Sequence, residues 1–518
     1  MPWLMGKLRL CRRKLTRYAA LAALLPQSST ALPAPRSLAL ATLHHPYTRQ
    51  ILDKAMVVRF PGPRSFTGED CAELHVHGGP AVVRSVLDAL GTLPWARPAD
   101  PGEFSRRAFE AGKLDLTQVE GLADLLRAET EAQRRQALAH SSGEARRRYE
   151  AWRGTILTCL ARVEVGGRVW KGQGVQVGLA ATQAVIDFGE DEGIADDVVA
   201  GMVPLAHQLR VQLEGHLGGG AAGELIREGV RVVIVGAPNA GKSSLLNALA
   251  GRDAAIVSPL PGTTRDTLEV ALDLGGYKVI VTDTAGLRES DCPIEAEGVR
   301  RAYKAVQEAH IVLDFRDATA DTSSCSSGGG PLWDTSSGQG LRGLHPSVGV
   351  ARATLRVFNK VDRLAWARGR PPAEVAALLQ GQQQEKTADQ QQQQQQQLVE
   401  HLQQQHEQSR PLPVPCCAIS CLTGEGLDGL LAQLKQAVQQ VVGTCGDPTS
   451  AALVTRARHR HYLEEAVAAL RRYEAAPLQV EIAAEELRFA AKALGRVTGA
   501  IDTEAVLDSL FSEFCIGK

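Results

Sequence analysis

The sequence predicts a multidomain fold that mixes α/β and all-α parts. It comprises a small N-terminal α/β domain, a helical domain formed by two separated segments, and a doubly wound phosphate-loop domain inserted between those segments. Three observations carry this. Residues 226–449 alternate strand and helix patterns, with a G-x-x-x-x-G-K-S turn between the first such strand and helix. Helical periodicity flanks that region, from Leu114 onward and again over roughly Ala451 to Phe514. Ahead of both, "VVRFPGPRSFTGEDCAELHVHGGP" punctuates short apolar runs with Gly and Pro.

Taken in order, residues 1–52 contain no Asp or Glu but carry Lys7, Arg9, Arg12, Arg13, Lys14, Arg17, Arg36 and Arg49. That composition predicts an organellar transit peptide, for mitochondrion or chloroplast. Its apolar run "YAALAALL" is too short to span a bilayer. Residues 53–115 form the N-terminal α/β domain. Residues 116–225 form the first helical segment, where Leu116, Val119, Leu122, Ala123 and Leu126 share one face. The inserted domain occupies 226–449 and the second helical segment 450–518.

Three stretches read as passengers: the Ser/Gly-rich "DTSSCSSGGGPLWDTSSGQG", the glutamine run Gln390 to Gln397, and "GGRVWKGQGVQVGLAATQ" at 166–183. The last interrupts a helical pattern with five glycines, as a bulged loop or as translated intervening sequence.

Lys plus Arg number 57 against 58 Asp plus Glu, so no bulk positive field draws nucleic acid and any RNA contact must come from local patches. Candidates are Arg146 to Arg148 and Arg456 to His461, although charge runs on helices are commonly solvated faces. Ten cysteines without C-x-x-C pairing fit a reducing compartment and give the Cys416, Cys417, Cys421 cluster no second half for zinc.

The turn "GAPNAGKSS" follows the apolar strand "VRVVIV". Gly236 and Gly241 let backbone N–H groups approach phosphates, and the following helix adds its N-terminal partial charge. Asn239, Ala240, Gly241, Lys242, Ser243 and Ser244 would line the phosphates, with Lys242 on the β/γ oxygens and Ser243 on Mg²⁺. "VIVTDTAG" places Asp283, Thr284, Ala285 and Gly286 at a strand end, for the metal and the γ-phosphate. "NKVD" supplies Asn359, Lys360 and Asp362, whose carboxylate can accept both guanine N1–H and N2–H; adenine offers no such pair. "GTTRD" holds Gly262, Thr263 and Thr264, the last as second Mg²⁺ ligand, and Ser420, Cys421 and Leu422 lie against the base. The inserted domain is therefore a P-loop GTPase domain. Leu287 stands where signalling GTPases carry the glutamine that orients water, so another residue must do so.

"GAPNAGKSSLLNALAGRDAAIVSPLPGTTRDTLE", "DTAGLRES", "FPGPRSFTGEDCAELHVHGGP", "PGEFSRRAFEAGKLDL" and the terminal "FCIGK" together resemble the MnmE/TrmE GTPases over most of residues 56–518. The resemblance implies a K⁺-activated GTPase. With an FAD-dependent partner, MnmG, such a GTPase builds the C5 (carboxymethyl)aminomethyl-type modification of wobble uridine-34 in tRNA, and it acts as a homodimer. It further implies K⁺ held by Asn239, Ser258, Leu260 and Thr263, and Glu295 orienting the water. A formyl-tetrahydrofolate-type donor would meet Glu73, Lys113 and Lys518. Cys515 is either a participant in the modification chemistry or a buried thiol. It is not a prenyl anchor, because Gly517-Lys518 does not complete such a box.

His75 and His77 share a strand face, but without a third ligand a packed or folate-side role is preferred to metal. Residues 1–55 show no counterpart of the strand and Gly-rich, arginine-containing loop with which family members begin, which bears on folate binding. Two other functions compete. A ribosome-assembly switch GTPase would share the P-loop and "GTTRD" but would add an RNA-binding appendage; a degenerate paralogue would only bind and hydrolyse GTP.

Overall fold

A computed structural model describes residues 9–10, 18–26, 32–170, 201–237, 239–256, 269–283, 305–319, 353–364, 370–380, 415–444, 454–475, 477 and 479–500, with backbone alone for 9–10, 165–170 and 444. The chain forms two compact units. One comprises residues 1–127, 137–213 and 461–518; the other comprises 128–136 and 214–460.

In the first unit, β1 (Arg9–Leu10) pairs with β5 (Ala96–Arg97), and β2 (Ala39–His44), β3 (Ile51–Phe60) and β4 (Cys71–His75) form an antiparallel sheet in that order. Leu43, Ala55 and Val57 of the sheet bury against Leu21 and Leu24 of α1 (Ala19–Leu24) and Val86, Ala89 and Leu90 of α2 (Pro80–Gly91). The expected leader therefore contributes α1, β2 and the first residues of β3 to this core. "YAALAALL" puts Tyr18, Leu21, Leu24 and Leu25 on one side of a short helix, and it is their burial that seats it.

The rest of this unit is helical: α3 (Glu103–Glu110), α4 (Leu116–Arg127), the end of α5 (Glu131–Ser141), α6 (Glu144–Trp170), the first half of α7 (Val203–Glu228), α10 (Ala457–Ala475) from residue 461, and α11 (Val480–Thr498). Asp115 caps α4 reciprocally: its carboxylate accepts from Gln118 N while its own N–H donates to Gln118 Oε1, both at 3.1 Å. On α6, Tyr149, Trp152, Ile156, Cys159 and Val163 are buried at alternating spacings of three and four. Met202, just ahead of α7, and Ala206, Leu209 and Leu213 in its first half repeat the pattern. The alanines Ala483, Ala484, Ala490 and Ala491 let α11 approach α6 closely. The glycine-rich stretch at 166–183 begins inside α6, which continues to Trp170; its remainder lies outside the described residues.

The second unit holds a six-stranded sheet with β6 (Val230–Val235), β7 (Glu269–Leu274), β8 (Tyr277–Asp283), β9 (Ile311–Asp317), β10 (Ala353–Asn359) and β11 (Cys416–Ala418). The order is β11-β10-β9-β6-β8-β7, with only β7 antiparallel to its neighbour. Ala222, Leu225 and Ile226 of α7 bury in its core with α8 (Lys242–Ala250) and α9 (Leu427–Thr444), and the division between the two units falls within α7, between residues 213 and 214. Val454 packs on Gly220, so residues up to 460 also belong here.

Residues 128–136 complete this unit. Ala132 N–H donates to Gly276 O at 3.0 Å, and Lys278 Nζ lies 2.6 Å from Glu129 Oε2. The side-chain amides of Gln133 and Gln136 donate to Arg227 O and Gly223 O, each at 3.0 Å. Gly275 and Gly276, both at positive φ, make the tight β7–β8 turn that presents this carbonyl. Among the described residues no helix is long and apolar enough to cross a membrane.

Gly121 on α4 meets α5 so closely that a Cβ there would lie 2.6 Å from His140 Cβ and from Ser141 N. Gly121→Ala is expected to destabilise the first unit by about 1–3 kcal/mol. Amide exchange in α4 and α5, followed by mass spectrometry, should accelerate; unchanged protection would contradict this packing.

Candidate nucleotide site

The loop after β6 is shaped by backbone conformations and close approaches. A side chain at Gly236 would strike the Phe315 carbonyl on β9, so the loop lies directly on the neighbouring strand end. Asn239 and Gly241 adopt positive φ, at 62° and 100°, and a Cβ at Gly241 would collide with Asn359 Nδ2. Gly241 then opens α8, whose first residues are Lys242, Ser243 and Ser244.

Lys242 is only 6% exposed, and its ammonium donates to Gly236 O at 2.8 Å and Ala237 O at 2.9 Å. The charge is thus held over the concave side of the loop, where an incoming phosphate oxygen can replace a carbonyl. Ser243 Oγ donates to Asp283 Oδ2 at 2.6 Å, bringing the helix hydroxyl and the β8 carboxylate together. Two hard oxygen donors side by side fit a Mg²⁺ ion.

The loop after β10, expected to read the base, is tied to the loop after β6. Asn359 Nδ2 donates to Ala240 O at 2.9 Å, while its Oδ1 accepts from Cys421 N at 3.1 Å. Lys360, at φ 66°, donates from Nζ to Asn239 O at 2.8 Å and to Asp317 Oδ2 at 2.6 Å. Buried Ser420 donates from Oγ to Asp362 Oδ1 at 2.6 Å, fixing the rotamer of the carboxylate expected to read guanine. Leu422 beside it is 85% exposed. Burial pushes the Cys421 thiol up to about 11, with the Asp362 charge adding to the effect, and pushes Cys417 up to about 12.

Of the expected phosphate and base ligands, the structure brings Gly236, Asn239, Ala240, Gly241, Lys242, Ser243, Asp283, Asn359, Lys360, Asp362, Ser420 and Cys421 into one region. Ser258, Leu260, Gly262, Thr263, Thr264, Thr284, Ala285, Gly286, Glu295, Cys515 and Lys518 lie outside the described residues. In the first unit, Glu73 lies on β4 opposite Val58, 3.6 Å from His75 Nε2, and the stem of Lys113 runs along Gly68. His77 is held by Asp53, which accepts from its Nδ1 at 2.8 Å and its N–H at 2.9 Å. Among the described residues no group of three or more His, Cys, Asp or Glu is arranged around a metal position. Arg146 pairs with Asp115 and Arg460 with Glu224, so part of each basic cluster is neutralised internally.

The family model for the MnmE helical domain matches residues 116–166 and 173–515, passing over a few residues of the glycine-rich stretch. The model for the GTP-binding protein TrmE N-terminus matches residues 9–113. The chain belongs to the MnmE/TrmE family. The TrmE match begins at residue 9, so "CRRKLTRYAALAALL" stands inside the family's N-terminal domain, in keeping with the burial of α1.

Among relatives of this MnmE/TrmE chain, the mitochondrial 5-taurinomethyluridine-[tRNA] synthase subunit GTPB3 of Homo sapiens is 43% identical over 496 residues, covering 94% of this chain and 86% of that one. The Danio rerio protein of the same name is 41% identical over 489 residues, at 94% and 86% coverage. The tRNA modification GTPase MnmE of Parvibaculum lavamentivorans is 43% identical over 489 residues, at 94% and 91%.

Asp317 and the residues 128–136 that pack on the β7–β8 turn escape sequence reasoning. The only signal at Asp317 is a carboxylate at the end of an apolar strand, "IVLDFRD".

At pH 8 the thiols of Cys417 and Cys421 should react with iodoacetamide far more slowly in the folded chain than in urea, because only the unfolded chain then carries much thiolate. The same linkage has a sign for stability. Raised folded pKa values hold stability below about pH 8.5, and that stability is lost as pH rises towards 11 and 12. Peptide-resolved mass spectrometry checks the labelling; equal rates in both states would overturn the burial argument.

Proposed function

We propose that this chain hydrolyses GTP and couples that hydrolysis to modification of the wobble uridine of mitochondrial tRNA, as one subunit of a two-protein enzyme. The observation that carries the reading is the joined network in which Asn359 bridges Ala240 and Cys421 while Ser420 aims Asp362. A guanine edge and a polyphosphate are served by one connected set of side chains. The tRNA and mitochondrial parts rest on the names of relatives above 40% identity over nearly the whole chain.

In this reading Asp362 accepts guanine N1–H and N2–H, and Asn359 keeps the base loop against the phosphate loop. Lys242 gives up its carbonyl partners for β/γ oxygens, and α8 directs its free N–H groups at them. Ser243 and Thr264 would hold Mg²⁺, with Asp283 beside them; the ion supplies charge to the oxygens that become more negative during transfer. Asn239, Ser258, Leu260 and Thr263 would hold K⁺. Glu295 orients the attacking water, filling the role vacated by Leu287.

The second subunit is of the FAD-containing MnmG type, and the chain pairs with a second copy of itself. Glu73, Lys113 and Lys518 would contact a formyl-tetrahydrofolate derivative. The modification is of the C5 (carboxymethyl)aminomethyl class, with Cys515 near its site.

Two measurements test this. Asp362→Asn should exchange GTP for XTP preference, because an amide donates where the carboxylate accepted; a variant that still prefers GTP in a binding assay refutes the base assignment. Replacing Na⁺ by K⁺ at constant ionic strength should raise GTP turnover strongly, on the order of 10³-fold if the cation supplies a missing positive charge. Asn239→Ala should lose that response while still binding GTP. Equal rates in both salts would remove the cation from the mechanism.

A further inference from the structure

We infer that Asp317 is a positioning residue for the nucleotide site: its carboxylate locks Lys360 in place, and Lys360 in turn fixes the backbone of Asn239 in the phosphate loop. This rests on the GTP reading above and adds a residue to it.

The geometry is a three-link chain. Asp317 ends β9, where Asn359 of β10 lies directly across the ladder in parallel register. That pairing sets Lys360, the next residue, above the end of β9. Lys360 adopts a left-handed conformation, which turns its side chain back across the strand ends. Its ammonium then meets Asp317 Oδ2 at 2.6 Å and Asn239 O at 2.8 Å. Asn239 is itself left-handed, at φ 62°, and this hydrogen bond to its carbonyl supports that conformation. The direction of the Asn239 side chain, expected to serve the cation, therefore depends on Lys360.

The pair is partly shielded, with side chains 24% and 19% exposed. Burial by itself would raise the Asp317 carboxyl, yet it lies below the ordinary value because Lys360 and then Thr319 donate to it. The two carboxylate oxygens have separate duties. Oδ2 takes Lys360, while Oδ1 accepts Thr319 N at 2.9 Å and Thr319 Oγ1 at 2.6 Å, closing the turn after β9. A turn-forming role and a lysine-positioning role can thus be separated by substitution.

Asp317→Asn keeps an oxygen for the turn and puts an amide, which cannot accept, in front of Lys360. Thr319→Val removes the hydroxyl from the turn and leaves the ion pair. With the full-length protein and a fluorescent GDP analogue, Asp317→Asn should release nucleotide about tenfold faster, the scale of a lost charge-assisted hydrogen bond. It should also raise the K⁺ concentration for half-maximal GTP turnover. Thr319→Val should leave release and K⁺ response at wild-type values. In a Lys360→Ala background, Asp317→Asn should have no further effect, since the two act through one contact.

Wild-type release and K⁺ response in Asp317→Asn would overturn the proposal, as would Thr319→Val reproducing its effect or additivity with Lys360→Ala. If the wild-type protein fails to bind the GDP analogue, the GTP reading itself falls, a result distinct from any failure of the variants.

Discussion

A lysine ammonium sealed into a loop is the constraint around which the second unit is arranged. Lys242 retains almost no contact with water, and an unpaired charge there would cost several kcal/mol. The chain meets this by folding the loop over so that the carbonyls of Gly236 and Ala237 face the charge. Such curvature requires left-handed residues, supplied at Asn239 and Gly241, and a strand end bare enough to lie against, supplied at Gly236. Once curled, the loop presents the carbonyls of Asn239 and Ala240 outward, where Lys360 and Asn359 bind them. The loop after β6 and the loop after β10 are consequently one mechanical object.

What could be read from the sequence follows from how local each feature is. The phosphate loop needs a strand, a set of glycines and a helix start within about 20 contiguous residues, so its residues announce themselves. The alternation of strand and helix patterns gives the doubly wound class, but the order in which β6 lies between β9 and β8 is set by pairings between distant strands. Asp317 does not announce itself, because its partner arrives 43 positions later and only the β9–β10 register brings them together. The N-terminal stretch shows a different limit of reading by composition. Charge composition pools all residues, whereas the burial of Tyr18, Leu21 and Leu24 depends on a sheet formed further along the chain. A segment can be acid-free and basic on its exposed side and still be core on the other.

The helical part of the first unit shows a similar division between what repeats and what meets. The three-and-four spacing of Tyr149, Trp152, Ile156, Cys159 and Val163 is visible in the sequence, as is its echo at Met202, Ala206, Leu209 and Leu213. Which helices touch is decided by small residues. The alanines of α11 and Gly121 of α4 allow backbones to approach where larger side chains would hold them apart.

Residues 128–136 give the second unit a history as well as a structure. Nine residues that belong to its fold are made before the ribosome reaches residue 214, with 77 residues of the other unit between them. The carbonyls of Gly223, Arg227 and Gly276 emerge later still, and their partners at Gln136, Gln133 and Ala132 have by then long since left the ribosome. The nucleotide-binding unit is therefore assembled from pieces written far apart, and a fragment cut at a single upstream point would carry the sheet without the piece that packs on its β7–β8 turn.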